Sequence, residues 1–292
     1  MTSYFKHFNT SPCGAILKLL QVSCLTAVVV GRPSLPGQQQ FRFSSSPNPA
    51  RTHFGPLQFR ADGTFRLSIF QDLHFGESAW ESWGSQQDLN AVRVVEAVLD
   101  AEPGTDLIVI NGDLITGENT FLENSTHYVD QIVRPMLRRG LTWASVYGNH
   151  DNDYNISSWD ILAREKRWPN SRTSQMVLEP DSGVCNYYLP VYPADCRPGL
   201  RDCFPKLLLW FFDSRGGFYF QQKDPASGQR IGRPNWVDAR VANWFQRTNS
   251  RLVRAAGGKV IPSLGFVHIP TNASRLLQEA GVEPPPATGH QR

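Results

Sequence analysis

LTWASVYGNHD, residues 141–151, is the stretch on which the fold turns. An apolar run suited to a buried strand stops at a glycine, then releases Asn149, His150 and Asp151 side by side. Each of the three needs water or a firm hydrogen-bond partner, so a strand ending this way delivers polar chemistry to a sheet edge. Two earlier stretches have the same shape. FRLSIF (65–70) leads to Asp72 and His74, and DLIVIN (106–111) leads to Gly112 and Asp113. The clusters stand 41 and then 36 positions apart, from Asp72 to Asp113 to Asn149, about one strand–helix repeat each.

Helical spacing fills both intervals. Residues 85–99 place Leu89, Val92, Val95 or Glu96, and Leu99 on one face, with Ser85 as N-cap. Residues 121–139 repeat the pattern, with Pro135 as a kink or break. Strand, helix, strand, helix, strand predicts parallel strands joined by right-handed crossovers, with all three polar clusters at one sheet edge. Residues 152–184 read as loop and surface helix. Strands are expected at 184–191, at 206–213 ending in Asp213-Ser214, and at 259–270, whose polar end is His268. A helix is expected over 236–254, with Trp236 and Trp244 on one buried face.

Asp and Asn oxygens and imidazole nitrogens together suit divalent ions of the Mn, Fe and Zn group. One carboxylate can bridge two such ions, and a pair of cations activates water and clamps the oxygens of a phosphoryl group. Asp-x-His after a strand is common by chance, and a lone strand-end aspartate often caps a helix. The ordered set at successive strand ends is far rarer.

In that ordered set the sequence resembles the calcineurin-like metallophosphoesterases: Asp72-Leu-His74, Gly112-Asp113, Gly148–Asp151 and the later His268. FQDLHFGE, GDLITGEN, FFDSRGG, NWVDARVANWF and FVHIP bring it nearest the fungal and plant branch related to purple acid phosphatases, over about residues 65–275. The resemblance implies an α/β fold, an αββα sandwich of two mixed sheets flanked by helices. It also implies two divalent metal ions. Asp72 and His74 would hold the first, Asp113 would bridge, and Asn149 and His268 would hold the second. His150 would be the general acid for the leaving alkoxide, oriented by Asp151. The implied activity is hydrolysis of phosphomonoesters, with phosphoprotein Ser/Thr among the substrates; the alternative is an inactive fragment acting as a binding module.

Two departures qualify the resemblance. Thr116 stands where the purple enzymes carry a tyrosine, so a coloured iron(III) centre is not expected. No GHxH segment follows His268, so the second sheet is expected to lack its last strands, with each ion left three protein ligands. His290 lies past the Pro284 run with no apolar strand leading to it and is not taken as a ligand.

The remaining features bound the setting. The chain has 292 residues, 40% apolar, with 29 basic and 26 acidic residues and no long basic block, so no nucleic-acid partner is expected. Residues 1–30 read as a signal peptide, the alternative being a tail with a chance apolar run. Lys18 would cost about 2.5–3.5 kcal/mol at mid-bilayer depth, which argues against a stable span. Residues 31–62 form a Pro/Ser-rich linker, 63–275 a phosphoesterase domain, and 276–292 an irregular tail. Sequons at Asn9, Asn124, Asn155 and Asn272 fit the secretory pathway, extracellular or vacuolar, the alternative being the cytoplasm. So does one disulfide among Cys185, Cys196 and Cys203, with one thiol left over. Arg215 reads as a surface arginine on a turn, the alternative being a bidentate donor to a substrate phosphate; His127 reads as solvated, and His53 has no partner motif.

Overall fold

The computed structural model describes residues 25–30, 54–199 and 203–280. Its first sheet has the order β1-β3-β4-β5. β3 (Thr64–Phe70), β4 (Leu107–Asn111) and β5 (Trp143–Val146) run parallel, as the repeat predicts. Their crossovers are α1 (Ser82–Ala101) and α2 (Tyr128–Arg138). β4 is LIVIN, a continuous apolar run with four of its five residues buried, as a strand covered on both faces requires. β1 (Leu25–Val30), the end of the apolar run read as a leader, lies antiparallel to β3. The rest of that leader, His53 and His290 lie outside the described residues.

The second sheet has the order β10-β7-β6-β2. It joins β2 (Leu57–Gln58), β6 (Tyr187–Tyr192), β7 (Leu207–Phe212) and β10 (Ser263–Val267), with β6 antiparallel to β7 and β10 parallel to it. The two sheets share one hydrophobic core that includes Leu107, Ile110, Trp143 and Val146 from the first and Tyr187, Leu209, Phe211 and Phe266 from the second. The Tyr187 hydroxyl donates to the Ser145 carbonyl across the interface at 2.9 Å. α4 (Ala239–Ala255) covers the outer face of the second sheet, where Trp210 meets the Trp244 ring at 5.6 Å and the Phe245 ring at 4.7 Å. The result is the two-sheet, helix-flanked sandwich that the family resemblance implies. α3 (Ser158–Glu165), α5 (Asn272–Ala280) and a small hairpin of β8 (Phe218–Lys223) and β9 (Arg230–Gly232) complete the described elements. No described helix is long and apolar enough to cross a membrane.

Several local expectations are corrected. α1 starts at Ser82 with Glu81, not Ser85, at the N-cap. Its buried face is Asp88, Ala91, Val95 and Leu99, while Leu89 is 53% exposed. Asp88 takes the inward position because both its oxygens accept the Gly76 N–H, which ties the helix to the loop after β3. Pro135 lies inside α2 without breaking it. α4 begins three residues later than expected, capped by Asp238, so Trp236 precedes the helix and is 61% exposed. Arg215 is not a surface residue: it is 3% exposed and donates to the Trp236 and Asp181 carbonyls and to Asp238. A disulfide joins Cys196 to Cys203, and the Cys185 thiol is buried, accepting the Tyr147 N–H at 3.2 Å.

Candidate metal centre

The loops after β3, β4 and β5 meet at their C-terminal ends, and backbone hydrogen bonds set their registers. Asp72 N–H donates to the Gly112 carbonyl, His74 N–H to Asp113 and Phe75 N–H to Leu114. Asp72, His74 and Asp113 all adopt left-handed backbone, with φ of 53°, 49° and 51°. Such conformations cost of order 1–3 kcal/mol for a non-glycine residue and persist where surrounding structure over-determines them, often at functional sites. Here all three turn their donor atoms together, within 4.8 Å of one another.

Asp113 is the centre. Its Oδ1 accepts the His150 N–H at 2.9 Å; its Oδ2 lies 3.1 Å from His268 Nε2 and 3.6 Å from His74 Nε2. Each of those histidines is held by its other ring nitrogen. His268 Nδ1 donates to the Asn111 carbonyl at 2.9 Å, and His74 Nδ1 shares a hydrogen bond of 3.1 Å with the Thr116 hydroxyl. Both Nε2 atoms are thereby aimed at Asp113, the support that metal-ligating histidines normally have. Thr116, at the position of the tyrosine in the purple enzymes, thus orients His74.

Burial would raise the Asp113 carboxyl, but the His268 hydrogen bond and charge and the His150 N–H outweigh it and hold the group below the usual range. Burial pulls His268 down, yet the same pairing lifts it to about 9.

Close approach explains two glycines. A Cβ on Gly148 would stand 2.2 Å from Asp113 Oδ1, and one on Gly112, whose φ is 91°, would stand 2.3 Å from His268 Nδ1. Asn149 sits at the end of β5 under the Asp213–Gly217 loop, where a Cβ on Gly216 would stand 2.7 Å from its own. The buried Arg215 pins that loop, and Ser214 Oγ accepts the Ile269 N–H, which joins it to the residue after His268.

His150 has a partner that the sequence reading missed. Its Nδ1 lies 2.8 Å from Glu118 Oε2, and its ring packs edge-on against His74 with centroids 4.9 Å apart. The Glu118 hydrogen bond raises His150 to about 8 against the pull of burial. Asp151, expected to orient His150, does something else. It is fully buried and accepts the Gly148 and Ile115 N–H groups at 2.7 and 3.0 Å, bracing the loop. Burial and the nearby Asp113 charge raise it to about 7.

Residues 66–283 match the family model described as calcineurin-like phosphoesterase. The chain belongs to that family. Members use a dinuclear metal centre, and in this member Asp72, His74 and Asp113 form a candidate metal site. Relatives include two Arabidopsis thaliana proteins named probable inactive purple acid phosphatase 29 and 28. Each is 27% identical to this chain, over 77% and 76% of its length. Phosphatase DCR2 of Saccharomyces cerevisiae is 28% identical over 44% of the chain and 23% of its own length. The chain spans 59% and 57% of the two Arabidopsis relatives.

Proposed function

We propose that the protein is a metal-dependent phosphomonoesterase, with Asp72, His74 and Asp113 on one ion and Asp113, Asn149 and His268 on a second. The observation that carries this is the convergence on Asp113, whose two oxygens face two aimed imidazoles and a backbone N–H. The donor set of carboxylates, imidazoles and one amide fits Mn, Fe or Zn. Bound there, the ions would supply an activated water and charge neutralisation of the phosphoryl oxygens.

The chain's own residues do the rest. The His150 N–H fixes the Asp113 carboxylate, so the bridging group cannot swing. Glu118 holds His150 Nδ1, which leaves Nε2 to carry a proton to the departing alkoxide. Asp151 replaces solvent at the Gly148 and Ile115 amides and keeps the loop in place. Phosphoserine or phosphothreonine is within the chemistry such a site serves. Secretory localisation is supported by the Cys196–Cys203 disulfide, a bond that persists in oxidising compartments.

A second reading, a metal-binding fold without turnover, is favoured by the names of the Arabidopsis relatives. Steady-state hydrolysis of an alkyl and an activated aryl phosphate by wild type and His150→Ala separates the two. The phosphatase reading expects wild-type turnover with both esters and an alkyl-selective loss of about 10²–10⁴ in the variant. Metal-loaded wild type with no turnover of either ester would establish the second reading.

A further inference from the structure

Beside the candidate centre opens a pocket of about 560 Å³, and Glu118, the partner of His150, lies on its wall. The residues after His150 form one side, with Asp153 and Tyr154; the β8–β9 hairpin forms the other, with Phe218, Lys223 and Arg230. The hairpin is fixed to that loop by backbone bonds, Phe218 N–H to the Asn152 carbonyl and Gln221 N–H to the Tyr154 carbonyl. A general acid stands next to the group it protonates, so a phosphoester at the centre would place its alcohol on the His150 side, and the extended part of that alcohol could reach past Glu118 toward this opening.

The wall chemistry is specific. Lys223 Nζ lies 4.7 Å from the centre of the Tyr154 ring, and no carboxylate among the described residues forms an ion pair with it. Arg230 lies 4.3 Å over the Phe218 ring and gives one N–H to Asp153 Oδ1 at 2.5 Å. A guanidinium has five N–H donors, so the Asp153 contact leaves the others for a ligand. Glu118, the other acid on this wall, is engaged with His150. Two aromatic platforms therefore hold two cations beside the opening, with one of the cations unneutralised.

Resting on the phosphomonoesterase reading, we propose that this pocket is the leaving-group subsite. Lys223 and Arg230 there select phosphomonoesters whose alcohol carries a second anionic group, a carboxylate or a further phosphate. That chemistry belongs equally to a small acidic metabolite and to a phosphorylated serine in an acidic peptide.

Calorimetric titration of the Mn²⁺-loaded protein tests this without turnover. The small-molecule arm compares 3-phosphonopropionate with its neutral carboxamide; the peptide arm compares phosphonate-serine peptides flanked by Glu or by Gln. The proposal expects the acidic member of at least one pair to bind roughly twofold to fivefold tighter, the range an exposed charge pair supports. Lys223→Gln should lower that ratio, with the Arg230 share remaining, and Lys223→Glu should lower it further. The arm with the larger ratio identifies the source. Equal affinities in both arms, or a ratio indifferent to Lys223, would overturn the subsite while leaving the phosphoesterase reading intact. Failure of all four probes to bind the metal-loaded protein would overturn both.

Discussion

Glu118→Gln isolates the contact that most directly sets the proton on His150. In the wild type that contact, helped by the Asp113 and Asp151 charges and opposed by burial, holds His150 at about 8 against an ordinary value of 6.5, a difference of 1.5. At about 1.36 kcal/mol per unit this is about 2 kcal/mol. The His150 and Glu118 side chains are 34% and 32% exposed, so water screens part of the interaction and about 1 kcal/mol is the share to expect. Glutamine keeps an oxygen for the hydrogen bond and loses the charge. The His150 pKa should therefore fall by about 0.7 of a unit. The sign follows from linkage. His150 is raised in the folded state, so the pair's contribution to stability is complete below pH 6.5 and disappears as pH rises through about 8. Glu118→Gln should accordingly lower Tm at pH 6 and change it little at pH 9. NMR titration of ¹³C-labelled histidines in the metal-free protein reads the pKa directly. An unchanged His150 titration in the variant would refute the assignment of Glu118 as its partner.

Three further outcomes follow from particular contacts. Gly148→Ala drives a methyl into Asp113 Oδ1 and N, at 2.2 and 2.5 Å; it should cost about 1–3 kcal/mol in urea unfolding and weaken metal binding. Arg215→Leu leaves the Asp181 and Trp236 carbonyls and Asp238 without their buried donor and should destabilise by about 3 kcal/mol, measured the same way. Asp88 is lifted by burial to about 6 from 3.8, so the folded state binds the extra proton and the cost of ionising it grows as pH rises between those values. Asp88→Asn, which can still accept the Gly76 N–H, should raise Tm at pH 7.5 and flatten its pH dependence between pH 4 and 6; a lowered Tm at pH 7.5 would contradict this.

What was legible in the sequence was whatever rests on periodicity and strand ends. β3, β4 and β5 are apolar runs that stop at Asp72, Asp113 and Asn149, and the parallel sheet follows from the helical spacing between them. His268 was found the same way, as the polar end of an apolar run. What escaped depends on tertiary pairing. Glu118 lies in a three-residue 3₁₀ turn, Gly117–Asn119, where no periodicity marks it. Asp151 is adjacent to His150 in sequence, yet its oxygens are taken by the Gly148 and Ile115 amides. Arg215 reads as a turn residue, and only the arrival of Asp181, Trp236 and Asp238 from distant segments buries it. Asp88 takes the inward place expected of Leu89 because the buried stripe runs back from Leu99 and Val95 through Ala91 to position 88, where the Gly76 N–H satisfies the carboxylate. The β8–β9 hairpin did leave a signal, the Asp224-Pro-Ala-Ser-Gly228 turn, in which Asp224 accepts the Ala226 and Ser227 N–H groups and Gly228 has φ of 70°.

Calorimetric titration of Mn²⁺ into the metal-free chain, beside Asp113→Asn, tests whether two cations share Asp113. A shared Asp113 should give two ions per wild-type chain and loss of both in the variant, because a neutral amide bridges cations poorly. Two ions bound with undiminished affinity by Asp113→Asn would contradict it.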